Sequence, residues 1–194
     1  MSLFKSQYNQ NKIGWQKSFL TGWSQDSQGF SLPWMSYNFI EFISHKLQPH
    51  HEIFEFGSGS STLFFAKRVK KVTAIESNKK WHEIMQIKLR EANITNVELI
   101  LMDDALENSE YENYAKNLGR FDFVFVDSLK RFECVKNSLD AIKADGALIL
   151  DDSERKNYQK IFTFLAERNF MQQDFVGIAP GQFRLKNTSF FTRA

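Results

Sequence analysis

A single cysteine, Cys134, stands in a chain of 194 residues, so no disulfide framework can staple the fold. The four histidines, His45, His50, His51 and His82, show no ligand spacing with that cysteine, and a zinc site is not expected. Three prolines and nine glycines are too few for a linker-rich or low-complexity chain. No apolar run exceeds four residues, as in Leu99-Ile100-Leu101-Met102, against the ~20 that span a bilayer. Neither sign of charge dominates: 25 basic and 23 acidic residues leave a net charge of +2, with no electrostatic footprint for nucleic acid. The one dense basic cluster, Lys67, Arg68, Lys70 and Lys71, reads as a solvated helix end and turn. The N-terminal MSLFKSQYNQNK has no apolar stretch and no small-residue cleavage site, so the cytoplasm is the expected compartment.

What is present is ordinary globular material, 42% hydrophobic and 25% charged, at a length that suits one domain. Twenty phenylalanines are unusual, and many fall in predicted strands, where they fill core. From residue 52 the chain alternates. Ile53–Phe56 reads as a strand ending at Gly57, Ser60–Val69 as a helix and Lys71–Glu76 as a second strand. Trp81, Ile84, Met85, Leu89 and Ala92 share one helical face. Val97–Met102 is a third strand, and Phe121–Val126 a fourth, apolar nearly throughout as a strand covered on both faces should be. Phe132, Val135, Leu139 and Ile142 predict a helix that stops at Asp145-Gly146, before a fifth strand at Ala147–Leu150. Tyr158, Ile161, Phe162 and Leu165 stripe another helix, and β-like runs at Phe175–Ile178 and Ser189–Thr192 flank Pro180-Gly181. Such alternation predicts an α/β fold, a parallel sheet wrapped by helices. Residues 1–50, rich in Gln, Asn, Ser and aromatics and with a helix starting at Pro33, are expected to form a cap or lid on a domain spanning 51–194.

Glu55-Phe56-Gly57-Ser58-Gly59-Ser60-Ser61-Thr62 lies between the first strand and a helix. Glycine at 57 and 59 lets the backbone turn tightly and approach a ligand, and the amides of the loop and helix start offer donors. Glu76 ends the second strand, where a carboxylate suits the two hydroxyls of a ribose. A third glycine at the dinucleotide-fingerprint spacing is missing, which disfavours a pyrophosphate-binding dehydrogenase. The plain alternative is a tight turn and a helix cap.

In these motifs the chain resembles the class I S-adenosylmethionine-dependent methyltransferases, over roughly residues 52–153. The matching parts are EFGSGSS as the glycine loop, AIES with Glu76, MDDA with Asp104-Ala105, and FDFVFVDS and GALILDDS as strands four and five. The resemblance implies a Rossmann-like α/β sheet of seven strands, the last antiparallel, with helices on both faces. It implies S-adenosylmethionine across the carboxyl ends of the strands. The cofactor-binding residues it implies are Glu55, Gly57, Ser58, Gly59, Ser61, Thr62, Glu76, Ser77, Asp127 and, at the adenine, Asp104 and Ala105.

Asp127 follows the fourth strand and Asp151-Asp152 the fifth, so all three should emerge at the carboxyl edge. Converging carboxylates repel, and one must be protonated or a cation must bind. The pattern is similar to small catechol-type O-methyltransferases, with a metal-binding Asp after strand four, a Lys three residues on, and an Asp-Asn pair after strand five. That likeness implies Mg²⁺ held by Asp127, Asp151 and Asp152 (the last standing where the relatives have Asn), with Asp127 and Lys130 as catalytic residues and Lys130 as general base. Asp127-Ser128 and Asp152-Ser153 also have the chemistry of helix N-caps. Cys134 falls beside an apolar helix face and reads as packing.

The expected function is therefore S-adenosylmethionine-dependent methylation of a hydroxyl on a small-molecule or carbohydrate acceptor. No nucleic-acid or membrane partner is expected, and a homodimer is the assembly to test. An aminopropyl transferase of the spermidine synthase type, and a non-catalytic nucleoside-binding protein, remain open beside it.

Overall fold

The computed structural model describes residues 14–103 and 110–194, so Asp104 and Ala105 lie outside the described residues. Two helices, α1 (Trp15–Thr21) and α2 (Tyr37–Lys46), precede an alternating run. It consists of β1 (Glu52–Phe56), α3 (Ser60–Ala66), β2 (Lys71–Glu76), α4 (Lys79–Glu91), β3 (Val97–Leu101), α5 (Glu110–Leu118) and β4 (Phe121–Val126). Then come α6 (Arg131–Ser138), β5 (Ile142–Leu150), α7 (Gln159–Ala166), β6 (Phe170–Ile178) and β7 (Leu185–Arg193). The strands form one sheet in the order β3-β2-β1-β4-β5-β7-β6. β1 to β5 pair in parallel, and β7 runs antiparallel to both β5 and β6.

The sequence of β4, Phe-Asp-Phe-Val-Phe-Val, shows why the sheet is covered on both faces. Val124 and Val126 enter one core with Phe54, Phe56, Leu148 and Leu150, beneath α5, α6 and α7. Phe123 and Phe125 enter the other, with Ile53, Ala147, Ile149 and residues of α2 and α3. The phenylalanines do fill core: Phe39, Phe54, Phe56, Phe64, Phe65, Phe125 and Phe191 are fully buried, each side chain stabilising the fold by ~1.5–3 kcal/mol. The basic cluster is an exposed turn, with Lys70 on Glu52 and Lys71 on Glu98, both at 2.6 Å. Among the described residues no helix is long and apolar enough to cross a membrane.

The segment before β1 is fastened to the far end of the chain. Trp15 Nε1 donates to Gln182 O at 3.0 Å and Trp34 Nε1 to Pro180 O at 2.7 Å. Ser36 Oγ donates to Phe175 O at 2.8 Å. The expected helix starts at Tyr37 rather than Pro33, and Ser36, its N-cap residue, has its hydroxyl engaged by β6 instead of by the helix.

One expected boundary is wrong. The helix read as stopping at Asp145-Gly146 ends at Ser138, and after a single 3₁₀ turn, Leu139–Ala141, β5 begins at Ile142 and includes both residues. The pairing of β4 with β5 shifts between Phe121 and Phe123. A Cβ at position 146 would lie 2.8 Å from Asp122 O and 3.0 Å from Phe121 O. Gly146 therefore marks an irregular strand pairing with close backbone approach, which a linear reading takes for a helix stop. Gly146→Ala should destabilise the protein by ~1–3 kcal/mol and lower Tm by ~3–10 °C in a thermal melt. An unchanged Tm would contradict the close approach.

Candidate functional site

β1, β2 and β4 end at one edge of the sheet, where their loops enclose a cavity of about 430 Å³, a volume ordinary for a small-molecule site. Gly57 makes the first turn, at φ 97°, a region that side chains disfavour. A Cβ there would lie 2.6 Å from Asp127 O. Gly57 N–H donates to Ile75 O at 2.9 Å and Asp127 N–H to Phe56 O at 3.1 Å, which knits the three strand ends together. Gly59 serves differently. Nothing lies within 4 Å of where its Cβ would be, and it lines the cavity. Its N–H donates to Thr62 Oγ1 at 3.0 Å, and Thr62 N–H donates back to Gly59 O at 3.1 Å, closing the first turn of α3.

Glu76 braces this loop. Ser58 donates to Glu76 Oε2 through both its N–H, at 3.1 Å, and its hydroxyl, at 2.9 Å, and Asn78 N–H donates to Oε1 at 2.9 Å. A carboxylate has about four lone-pair sites, so Glu76 keeps room for a further donor. Trp81 Nε1 donates to Ser58 O at 2.7 Å, and its ring lies 6.0 Å from that of Trp23. Trp23, Trp34 and Met35 supply the wall contributed by the N-terminal segment. Glu55 points into the same space and is 3% exposed, and its Oε2 has no hydrogen-bond partner. Burial pushes its pKa up to about 7; hydrogen bonds from Ser61 and Thr62 oppose the shift and the charge of Asp127 adds to it.

At the other end of the cavity the three aspartates do converge, one carboxylate oxygen of each lying within 4.8 Å of the others. Protein cations already fill the space between them. Lys186 Nζ lies 2.5 Å from Asp151 Oδ2 and 2.9 Å from Asp152 Oδ1. Arg131 uses all five of its N–H donors: Nε on Asp151 O, Nη1 on Ser128 O and Tyr158 OH, Nη2 on Asp127 Oδ1 at 2.5 Å and on Asp152 Oδ2 at 3.4 Å. Arg155 also pairs with Asp152. Burial would lower the pKa of Lys186, but Asp151, Asp127 and Asp152 more than offset it and hold the pKa above the ordinary lysine value. Burial would likewise raise Asp152, but Lys186, Arg155 and Arg131 outweigh it and keep its pKa below the ordinary value. A divalent ion needs open oxygens at its own bonding distance, and this donor set does not fit one. The aspartates expected to hold Mg²⁺ are engaged instead in an ion-pair cluster with Lys186, Arg131 and Arg155.

Nor are the aspartates helix caps. The N-cap residue of α6 is Lys130, with no side-chain cap bond. Lys130 itself does not line the cavity; its ammonium lies 3.6 Å from the buried Glu112. Of the other sequence-derived positions, Glu55, Gly57, Ser58, Gly59, Ser61, Glu76, Ser77 and Asp127 line the cavity, while Thr62 is buried behind it. Cys134 is buried packing. The residues missed by sequence reasoning are Arg131, Arg155 and Lys186. For Lys186 the available signal is a lysine sharing strand parity with Thr188 and Phe190 in a run that otherwise points inward.

No family model and no curated protein matches the chain. Solved structures do. A precorrin-6y C5,15-methyltransferase from Geobacter metallireducens superposes with a TM-score of 0.65 over 84% of this chain and 91% of that one, at 15% identity. The chain has the class I methyltransferase fold. An rRNA methylase from Streptococcus thermophilus matches at TM-score 0.61 and 18% identity, over 79% of this chain and 92% of that one. A Streptococcus mutans protein described as a methyltransferase, solved in complex with SAH (S-adenosylhomocysteine), matches at 0.60 and 17%, over 79% and 97%. On this methyltransferase fold the cavity lies at the carboxyl edge, and β7 is the antiparallel strand.

The raised pKa of Glu55 has a definite sign in stability. The folded state holds the proton up to about pH 7 and the unfolded state releases it near 4.5, so the stabilisation present at low pH is lost as pH rises through that window. Glu55→Gln lacks this loss. Urea unfolding should therefore show the variant gaining about 3 kcal/mol on the wild type between pH 4 and pH 8. A pH-independent difference would mean that Glu55 is not the buried acid described.

Proposed function

We propose that the protein is an S-adenosylmethionine-dependent methyltransferase that methylates a hydroxyl of a small-molecule or carbohydrate acceptor. The observation that carries this reading is one cavity with three features: an unpartnered buried Glu55 oxygen, spare acceptor capacity on Glu76, and the open face of Gly59. The residues fit a ligand with a cationic centre and donor hydroxyls. Glu55 can accept from an ammonium, Glu76 from a ribose hydroxyl, and Gly59 leaves room for close approach. When bound, the cofactor supplies a methyl group on a sulfonium, already reactive toward a nucleophile. The SAH held by the Streptococcus mutans structure of the same fold supports this cofactor.

The chain's remaining tasks are to align an acceptor and take its proton. We assign the second to Asp127. It lines the cavity at the end of β4, its side chain is 50% exposed, and Arg131 fixes one of its oxygens. The other oxygen has no partner among the described residues and is free to accept a hydroxyl proton. Arg155 lines the same end, and among the described residues its guanidinium bonds only Asp152, leaving donors for polar groups of the acceptor.

Two variants separate the parts of this proposal. Glu76→Gln should weaken SAH binding in calorimetry by roughly 10- to 100-fold, the loss of one charge-assisted hydrogen bond. Gly59→Val should abolish binding with little change in Tm, because its side chain enters open cavity rather than packed backbone. Absence of SAH binding by the wild type would defeat the cofactor assignment; normal binding by both variants would move the ligand elsewhere.

A further inference from the structure

We propose that Lys186 is a resident cation occupying the position a divalent metal would otherwise take among Asp127, Asp151 and Asp152, so that the native protein needs no metal there and loss of the ammonium creates a metal site. The inference is independent of the cofactor proposed for this cavity. It begins with topology. β7 runs antiparallel to β5, with Leu150 opposite Ser189, so the first residues of β7 lie at the carboxyl end of β5. A parallel strand would bring its last residues there instead. The antiparallel β7 thus delivers Lys186 and Thr188 to the acidic edge, where Thr188 Oγ1 donates to Asp151 Oδ1 at 2.9 Å.

Burial makes the ammonium obligatory. The side chains of Lys186, Asp151 and Asp152 are 5%, 1% and 7% exposed. Asp151 Oδ2 and Asp152 Oδ1, the two oxygens nearest Nζ, make no conventional hydrogen bond and are buried. Charge from Lys186 is what compensates them. Ions taken out of water are tolerated when paired, and removing one partner strands the other. The protein's own cations supply the counter-charge: Lys186, Arg131 and Arg155 pair with the three aspartates, and Arg184 lies 3.7 Å from Asp152. An ammonium and a metal ion cannot both occupy the gap.

Lys186 is therefore a positioning residue. Asp152, in left-handed backbone at φ 53°, is ion-paired with Lys186 through one oxygen and accepts from Arg131 and Arg155 on the other. Through it the ammonium helps to place the two arginines that line the cavity.

Removing the ammonium tests this directly, with Mn²⁺ as the probe because it favours oxygen ligands. Wild-type protein titrated with Mn²⁺ should show no saturable binding by calorimetry and no rise in Tm. Lys186→Ala should bind one Mn²⁺, and saturating Mn²⁺ should raise its Tm by roughly 5–10 °C. The added change Asp151→Asn should abolish that binding. Lys186→Arg, which keeps a cation in place, should fold and ignore Mn²⁺; merely structural damage would not separate these two variants. If Lys186→Ala folds only when Mn²⁺ is present, the proposal is supported. Saturable Mn²⁺ binding by the wild type that Asp151→Asn removes would overturn it. So would a folded Lys186→Ala that binds no Mn²⁺, or one that fails to fold with Mn²⁺ as well as without it.

Discussion

The carbonyl of Asp127 occupies the space that a β-carbon at position 57 would need, and the layout of the whole carboxyl edge depends on that contact. It brings the ends of β1 and β4 together, with backbone hydrogen bonds from Gly57 to β2 and from Asp127 to β1 holding all three strands in place. On one side of the contact lie Glu55, Gly59 and Glu76; on the other lie Asp127, Arg131 and Asp152. A cavity with two chemically different ends follows from one glycine in a left-handed turn.

Two acids lining the cavity respond to burial in opposite ways. Glu55 lacks a cation, and burial leaves it favouring its proton. Asp152 is surrounded by Lys186, Arg155 and Arg131 and stays ionised to lower pH than an ordinary aspartate. Titratable groups pushed apart within one cavity are a mark of functional sites, because each is held in the state its task requires. In the proposed reaction the first end holds the cofactor and the second aligns and deprotonates the acceptor, so the division of charge is also a division of labour. The cations that let Asp151 and Asp152 be buried also line this end of the cavity or fix its frame.

The glycine loop and Glu76 were legible in the sequence because their signals are local: a turn residue after a strand, an acid at the end of the next. The limits of β2 and β4 were legible for the same reason, since short β-branched and aromatic runs bounded by breakers have few alternatives. Gly146 misleads because Asp-Gly usually stops a helix, whereas here the approach of β4 decides its conformation, a fact of tertiary structure. Lys130 misleads because spacing along the chain does not fix direction. It ends the loop before α6, and the next residue, Arg131, is the one that turns into the cavity. Strand parity could flag Lys186 but not its partners, because those depend on an antiparallel strand returning from the end of the chain to the carboxyl end of β5. Repulsion among the three aspartates correctly demanded a counter-charge, and the sequence alone had no means of identifying the protein's own lysine as its source.

The central claim is that the cavity beside Gly57 receives the adenosyl cofactor. A crystal structure of the protein grown with SAH tests it most directly. The account predicts ligand density between Glu55, Gly59 and Glu76, with a ribose hydroxyl on Glu76 and the sulfur directed toward Asp127. An empty cavity at saturating SAH, or SAH bound at any other surface, would contradict it.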